Sequence, residues 1–122
     1  MTGVQTCALP ISTPQEVALI DARKAIGLFE RVETPILGII ENMSYFQCPS
    51  DGKIYHIFGE GGGEREAAKL GVPLLGKIPL DISTRFGGDE GRPVALEDPG
   101  QNPVSAAFRQ VAEQCARVVL DR

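Results

Sequence analysis

Three cysteines, Cys7, Cys48 and Cys115, and one histidine, His56, supply the thiol and imidazole donors of this 122-residue chain. The thiols are widely spaced and odd in number, and no Cys-x-x-Cys pair occurs. Reduced thiols are therefore expected rather than a disulfide framework. Asn42 stands almost directly after the apolar run Ile36-Leu37-Gly38-Ile39-Ile40. Open α/β sheets meet their ligands beyond the carboxyl ends of the strands, which makes Asn42 a candidate contact. The competing role is a turn asparagine bonded to its own backbone. Pro79 and residues 80–82 follow a second apolar run and belong to the same rim, as a pocket wall or as a strand-to-helix turn. Gly61-Gly62-Gly63 invites comparison with a phosphate cradle. The stretch from Gly59 to Gly63 lacks the Lys and Ser/Thr that must meet phosphate and metal, so a flexible turn is expected. Asp21 and Lys24 read as a solvated helix face, and Cys115 as a buried, inert thiol.

These residues need elements to position them. Thr13-Pro14-Gln15-Glu16 reads as a helix start, with Thr13 as cap, Pro14 at the first helical position and Glu16 closing a capping box. Val17, Ile20, Ala25, Leu28 and Val32 recur at spacings compatible with one helical face, and the helix stops before Pro35. The run 36–40 reads as a buried strand of the parallel type. From Glu41 to Gly63 the chain is loop-like, with two short extended pieces flanking Asp51-Gly52 as a hairpin. Glu64 to Leu70 forms a short helix closed by Gly71. Val72 to Ile78 is a second buried strand, with Pro73 near its start. Pro79 to Gly100 is rich in Gly and Pro, with room for one helical turn. Asn102-Pro103 opens a last helix, on which Val104, Ala107, Phe108, Val111, Cys115 and Val118 form an apolar stripe.

Helix–strand–helix–strand–helix is the tail of a doubly wound α/β domain. Both strands are apolar throughout, so each expects neighbouring strands and helices on both faces. Hydrophobic residues at 43% and charged residues at 23% exclude a disordered chain. A net charge of −4 without a basic run speaks against nucleic acid as a partner. No apolar stretch approaches the roughly 20 residues of a membrane span, and a cytoplasmic protein is expected.

Residues 1–11, Met-Thr-Gly-Val-Gln-Thr-Cys-Ala-Leu-Pro-Ile, resemble one reading frame of a sequencing-library adapter. A signal peptide fits poorly, for want of a basic n-region and a sufficient apolar core. The alternative is a short natural arm. The expectation is that native sequence starts at about Ser12, that residues 12–122 are the C-terminal part of one domain, and that Cys7 carries no chemistry.

Three stretches carry a resemblance: Thr13 to Lys24, Leu37 to Phe46 followed by Ile57-Phe58-Gly59 and the glycine cluster, and Leu70 to Leu80. In order and spacing they resemble the Mrp/ApbC family of iron–sulfur cluster carriers, P-loop ATPases of the MinD-like group. The fold implied is the C-terminal part of a doubly wound, mostly parallel P-loop NTPase sheet, which is incomplete here. The family's phosphate loop, with its lysine and Mg²⁺-binding hydroxyl, lies in the N-terminal half, and no G-x-x-x-x-G-K-[ST] occurs here. The resemblance thus implies ATP with Mg for the full-length protein, and no tight Mg-ATP binding or hydrolysis by this chain alone.

The resemblance further implies that Asn42 hydrogen-bonds adenine, with Pro79 walling the base pocket. It implies a homodimer that pools Cys-Pro-x-Cys thiolates around a four-iron–four-sulfur cluster and passes it to iron–sulfur apoproteins. Here the run is Cys48-Pro49-Ser50-Asp51, so aspartate stands at the second cysteine position. Asp51 offers a harder oxygen donor, and His56 is a further candidate ligand, as histidine is in some two-iron clusters. Two alternatives stay open. One is a cluster-less MinD-like ATPase acting as a nucleotide-switched partner-binding protein; the other is an inactive truncated fragment.

Overall fold

The computed structural model describes residues 6–121. The two apolar runs become parallel neighbours, β2 at Ile39–Glu41 and β5 at Leu74–Lys77, with Ile40 opposite Gly76 and Glu41 opposite Lys77. A third strand, β1 at Ile11–Ser12, pairs in parallel with the other side of β2, giving the order β1-β2-β5. Upstream, Ala8 bridges Ile36; its N–H donates to the Pro35 carbonyl, and its own carbonyl accepts from Leu37. Part of the segment that resembles adapter sequence therefore lies in the sheet, where main-chain pairing makes little demand on side-chain identity. Residues 1–5 of that segment lie outside the described residues.

Helices cover both faces of this sheet. The first, α1 (Glu16–Arg31), contacts β1 and α2 (Gly62–Leu70), which in turn contacts β2; the last, α4 (Pro103–Leu120), lies against β5. Strand alternation separates the two layers. Ile40 joins Leu75, Ile78, Val104 and Val111 in one cluster, against which Ala107, Cys115 and Val118 pack. The apolar stripe expected on α4 is thus the one that faces the sheet, with Phe108 at its exposed margin.

Three expectations are corrected. On α1 the buried residues are Leu19 and Ile26, whereas Val17, Ile20, Leu28 and Val32 are exposed. The helix carries apolar residues on two sides, and the side that carries Leu19 and Ile26 is the one covered. It also starts later than Thr13-Pro14 suggested: Gln15 is the N-cap, and the Thr13 hydroxyl donates to the Gln15 side chain instead of capping. Between Pro79 and Gly100 a two-turn helix, α3 (Ile82–Asp89), precedes a short 3₁₀ turn at Val94–Leu96. Asp81 nucleates α3 by accepting from the Thr84 N–H at 2.9 Å and hydroxyl at 2.7 Å, and this cap outweighs the low helix propensity of Gly87 and Gly88. The hairpin around Asp51-Gly52 forms as expected, from β3 (Phe46–Gln47) and β4 (Ile54–Tyr55). So does the left-handed Gly71 closure of α2.

A charged contact joins α1 to α2. The Arg23 guanidinium donates through Nε (2.9 Å) and through its terminal nitrogen to the buried carboxylate of Glu66, and also reaches Glu16. These hydrogen bonds from Arg23 hold the Glu66 carboxyl below the usual carboxylate range. A depressed native pKa stabilises the fold above the ordinary value and is lost as pH falls through the native one. The wild-type urea midpoint should therefore drop on acidification below about 4.5, the ordinary glutamate value. In Glu66→Gln that pH dependence should flatten. Asn102 accepts from the N–H groups of Val104 (2.9 Å) and Ser105 (3.1 Å) at the start of α4. Asn102→Ala should cost about 1 kcal/mol in urea unfolding, while Thr13→Ala, which removes no cap, should stay within about 0.5 kcal/mol.

Candidate functional site

The carboxyl ends of β2 and β5 are laced together beyond the sheet. The Ile78 N–H donates to Glu41 O (2.8 Å), Ser44 N–H to Ile78 O (3.0 Å), and Leu80 N–H to Tyr45 O (2.8 Å). On the other side the Asn42 N–H donates to Ser12 O at 2.8 Å. Asn42 and Pro79 consequently lie on one rim, as the residue pattern implied. The Asn42 side-chain oxygen accepts from the Met43 N–H at 2.9 Å, the local turn role, and Met43 takes a positive φ of 51°. Pro79 lines a cavity of about 210 Å³ together with Tyr45, Gln47, Asp81 and Asn102. Asn42 stands outside that lining.

One residue of this rim escaped the reading by motif. Glu41 is only 1% exposed, yet it ends a strand otherwise built of isoleucine. One carboxylate oxygen accepts from the Ser44 hydroxyl at 2.9 Å and the other from the Gly63 N–H at 3.2 Å. That N–H belongs to the first turn of α2, where backbone donors lack intrahelical partners. A Cβ at Gly63 would sit 2.7 Å from the carboxylate oxygen, and one at Gly62 would sit 2.6 Å from the Pro14 carbonyl. The glycine cluster is thus a close-packed helix entry and not the flexible turn expected. The available signal was the acid that closes an apolar run. Nearby, Lys77 pairs with Glu64 at 2.5 Å, which chiefly raises the Lys77 pKa.

Below the rim projects the β3–β4 hairpin. Cys48 follows β3, and its N–H donates to Lys53 O at 2.9 Å while its carbonyl accepts from the Gly52 N–H at 2.8 Å. Its thiol is half-buried. Asp51 accepts from the Tyr55 hydroxyl at 2.6 Å and the Lys53 N–H at 2.8 Å. Tyr55 first, then the Lys53 N–H and the Cys48 thiol, hold the Asp51 carboxyl below its usual range. Cys48 and Asp51 therefore share the turn of one hairpin. His56 lies past β4, exposed, with Nε2 at 3.5 Å from Glu60. Among the described residues no group of three or more His, Cys, Asp or Glu converges to hold a metal ion. A hairpin of this chain thus carries one thiol and one carboxylate. Cys115 is half-buried on α4, where burial pushes its thiol pKa up, and Cys7 is exposed.

Comparison with known proteins finds that residues 2–116 match the ParA family, described as NUBPL iron-transfer P-loop NTPase. An iron–sulfur cluster carrier protein of Pyrococcus furiosus is 47% identical over 107 residues, which cover 88% of this chain and 36% of the relative. An iron–sulfur protein required for NADH dehydrogenase, from Arabidopsis mitochondria, is 47% identical over 90% of this chain and 35% of its own length. The chain thus spans about a third of the length of these curated relatives. Among solved structures, a nucleotide-binding protein of Archaeoglobus fulgidus in complex with ADP aligns with TM-score 0.58 at 38% identity, over 69% of this chain and 35% of that one. The cell division ATPase MinD of P. furiosus aligns with TM-score 0.65 at 29% identity, over 91% and 42%.

Burial and a raised pKa make Cys115 the least reactive of the thiols, since the thiolate is the nucleophile. Timed iodoacetamide alkylation at pH 8, read by peptide mass spectrometry, should modify Cys7 and Cys48 well before Cys115.

Proposed function

The chain belongs to the NUBPL iron-transfer P-loop NTPase family, and we propose that it supplies the nucleobase rim and the cluster-bearing hairpin of an ATP-dependent iron–sulfur carrier. The observation that carries this reading is the joining of two features at one end of a parallel sheet. Asn42 and Pro79 leave neighbouring strands on a single rim beside a cavity of about 210 Å³. The Cys48 hairpin follows that rim within four residues. Base binding and thiol presentation are thus mechanically continuous. The match to MinD and the ADP-bound relative support a nucleotide at the strand ends of the P-loop NTPase fold.

In this reading residues 12–122 are the C-terminal part of the NTPase domain, and residues 1–11 are not native. ATP and Mg²⁺ are held mainly by a phosphate loop this chain does not contain, so the chain alone hydrolyses nothing. Asn42 offers adenine a donor and an acceptor from one amide, provided the base displaces the Met43 N–H as its partner. The cluster is cargo. A second copy brings another Cys48 and Asp51, so a homodimer offers two soft thiolates and two hard carboxylates. Iron–sulfur clusters prefer four thiolates. A mixed set holds iron more loosely, which suits delivery to an apoprotein. The protein would work in the cytoplasm; among the described residues no helix is long and apolar enough to cross a membrane.

A second reading is a cluster-less MinD-like ATPase whose nucleotide state selects a partner. It is favoured by Asp51, whose carboxylate is already committed to Tyr55 and Lys53.

One chimaera tests both, joining residues 12–122 to the phosphate-loop portion of the P. furiosus carrier. Asn42→Ala should weaken ATP binding about tenfold by calorimetry, the worth of one hydrogen bond. After anaerobic reconstitution the chimaera should show thiolate-to-iron absorption that Cys48→Ser abolishes and Asp51→Cys strengthens. An ATP-binding chimaera without such absorption would sink the carrier reading and leave the second.

A further inference from the structure

Asn42 can read a base only if its turn is held still, and the main chain there is not at rest. Met43 has a φ of 51°, a left-handed conformation that a non-glycine residue adopts at a cost. The turn persists because it is clamped at both ends. Its first residue, Glu41, is locked in the sheet by the Ile78 N–H, and its last, Ser44, donates its N–H to Ile78 O. The clamp is closed by a side chain: Glu41 Oε1 accepts from the Ser44 hydroxyl at 2.9 Å across the turn. The same carboxylate reaches through Oε2 to the Gly63 N–H at 3.2 Å, so the turn is also tied to the first turn of α2. Both Glu41 and Ser44 are buried, at 1% and 3% exposure, and neither can find water as a substitute partner.

From this geometry we infer that Glu41 is the positioning residue of the nucleobase contact, holding the Asn42 amide on the strand-end rim through Ser44 and Gly63. This rests on the adenine reading of Asn42. Glu41 touches no nucleotide itself. It selects which way the Asn42 amide faces, and therefore its preference for a base with an amino group beside a ring nitrogen, the pattern asparagine pairs with bidentately in adenine. Glutamine is the informative replacement. It keeps the shape, and its carbonyl oxygen can still accept from the Gly63 N–H, but its NH2 must then donate to the Ser44 oxygen, which reverses the bond that closes the turn and removes its charge.

The test uses the 122-residue chain, isotope-labelled, with adenosine and guanosine as probes. In the wild type, adenosine should shift the Asn42 side-chain amide resonances, and guanosine should do so more weakly. In Glu41→Gln the adenosine affinity should fall about tenfold, the share of one charge-assisted hydrogen bond, and the adenosine-over-guanosine preference should vanish. The Met43 coupling constant that reports its positive φ should change as well. Should Glu41→Gln fail to fold, Ser44→Ala removes only the donor that closes the turn and should act in the same direction. A lowered unfolding midpoint with both nucleoside responses unchanged would show a structural role alone and overturn the assignment. A wild-type chain indifferent to both nucleosides would instead bring down the base-contact reading of Asn42. The two failures appear in different proteins and cannot be confused.

Discussion

A carboxylate taken out of water at the end of a central strand constrains everything around it. Burying a charge costs several kcal/mol unless hydrogen bonds replace its hydration. Glu41 meets that demand with the Ser44 hydroxyl and the Gly63 N–H, and both donors have to be brought to it. The first requires a tight, partly left-handed turn after β2. The second requires that α2 begin within contact of the strand, which only residues without a Cβ allow at Gly62 and Gly63. The positive end of the α2 dipole then faces the negative charge, an arrangement that favours both partners.

From that point the rest of the rim follows. With the turn closed, residues 44–45 run beside residues 78–80 and extend the pairing of β2 and β5 past the sheet proper. Pro79 and Tyr45 are thereby presented to the cavity, and the chain passes on into β3 of the hairpin. The hairpin is short and largely exposed, held by two residue pairs and by the Asp51 contacts to Tyr55 and Lys53. Two-stranded hairpins of this size are marginal on their own. The hairpin is anchored at the rim on one side and faces solvent on the other.

The opposite layer is organised by a different charge. Arg23 reaches from α1 to the buried Glu66 of α2, on a helix that covers only one of its two apolar sides. Leu19 and Ile26 go inward, while Val17, Ile20, Leu28 and Val32 remain outside. Hydrophobic attraction is non-directional. The ion pair is directional.

Much of this was legible before any coordinates. Short apolar runs marked the parallel strands, Asp51-Gly52 the hairpin, Gly71 the end of α2 and Asn102-Pro103 the start of α4, because each rests on local chemistry that a few neighbouring residues suffice to express. Family likeness in three stretches carried the nucleotide and cluster expectations, and Cys48 and Asp51 lie within the turn of one hairpin. What escaped depended on partners distant in sequence. Arg23 of α1 finds its partner 43 residues away at Glu66, the glycine cluster its neighbour 22 residues away at Glu41, and β1 drew on a segment set aside as foreign. The sequence alone determined which elements form and which side chains can do chemistry. Only the tertiary structure decided which faces are covered and how a buried carboxylate is satisfied, since those outcomes are chosen by directional contacts between residues that no local window contains.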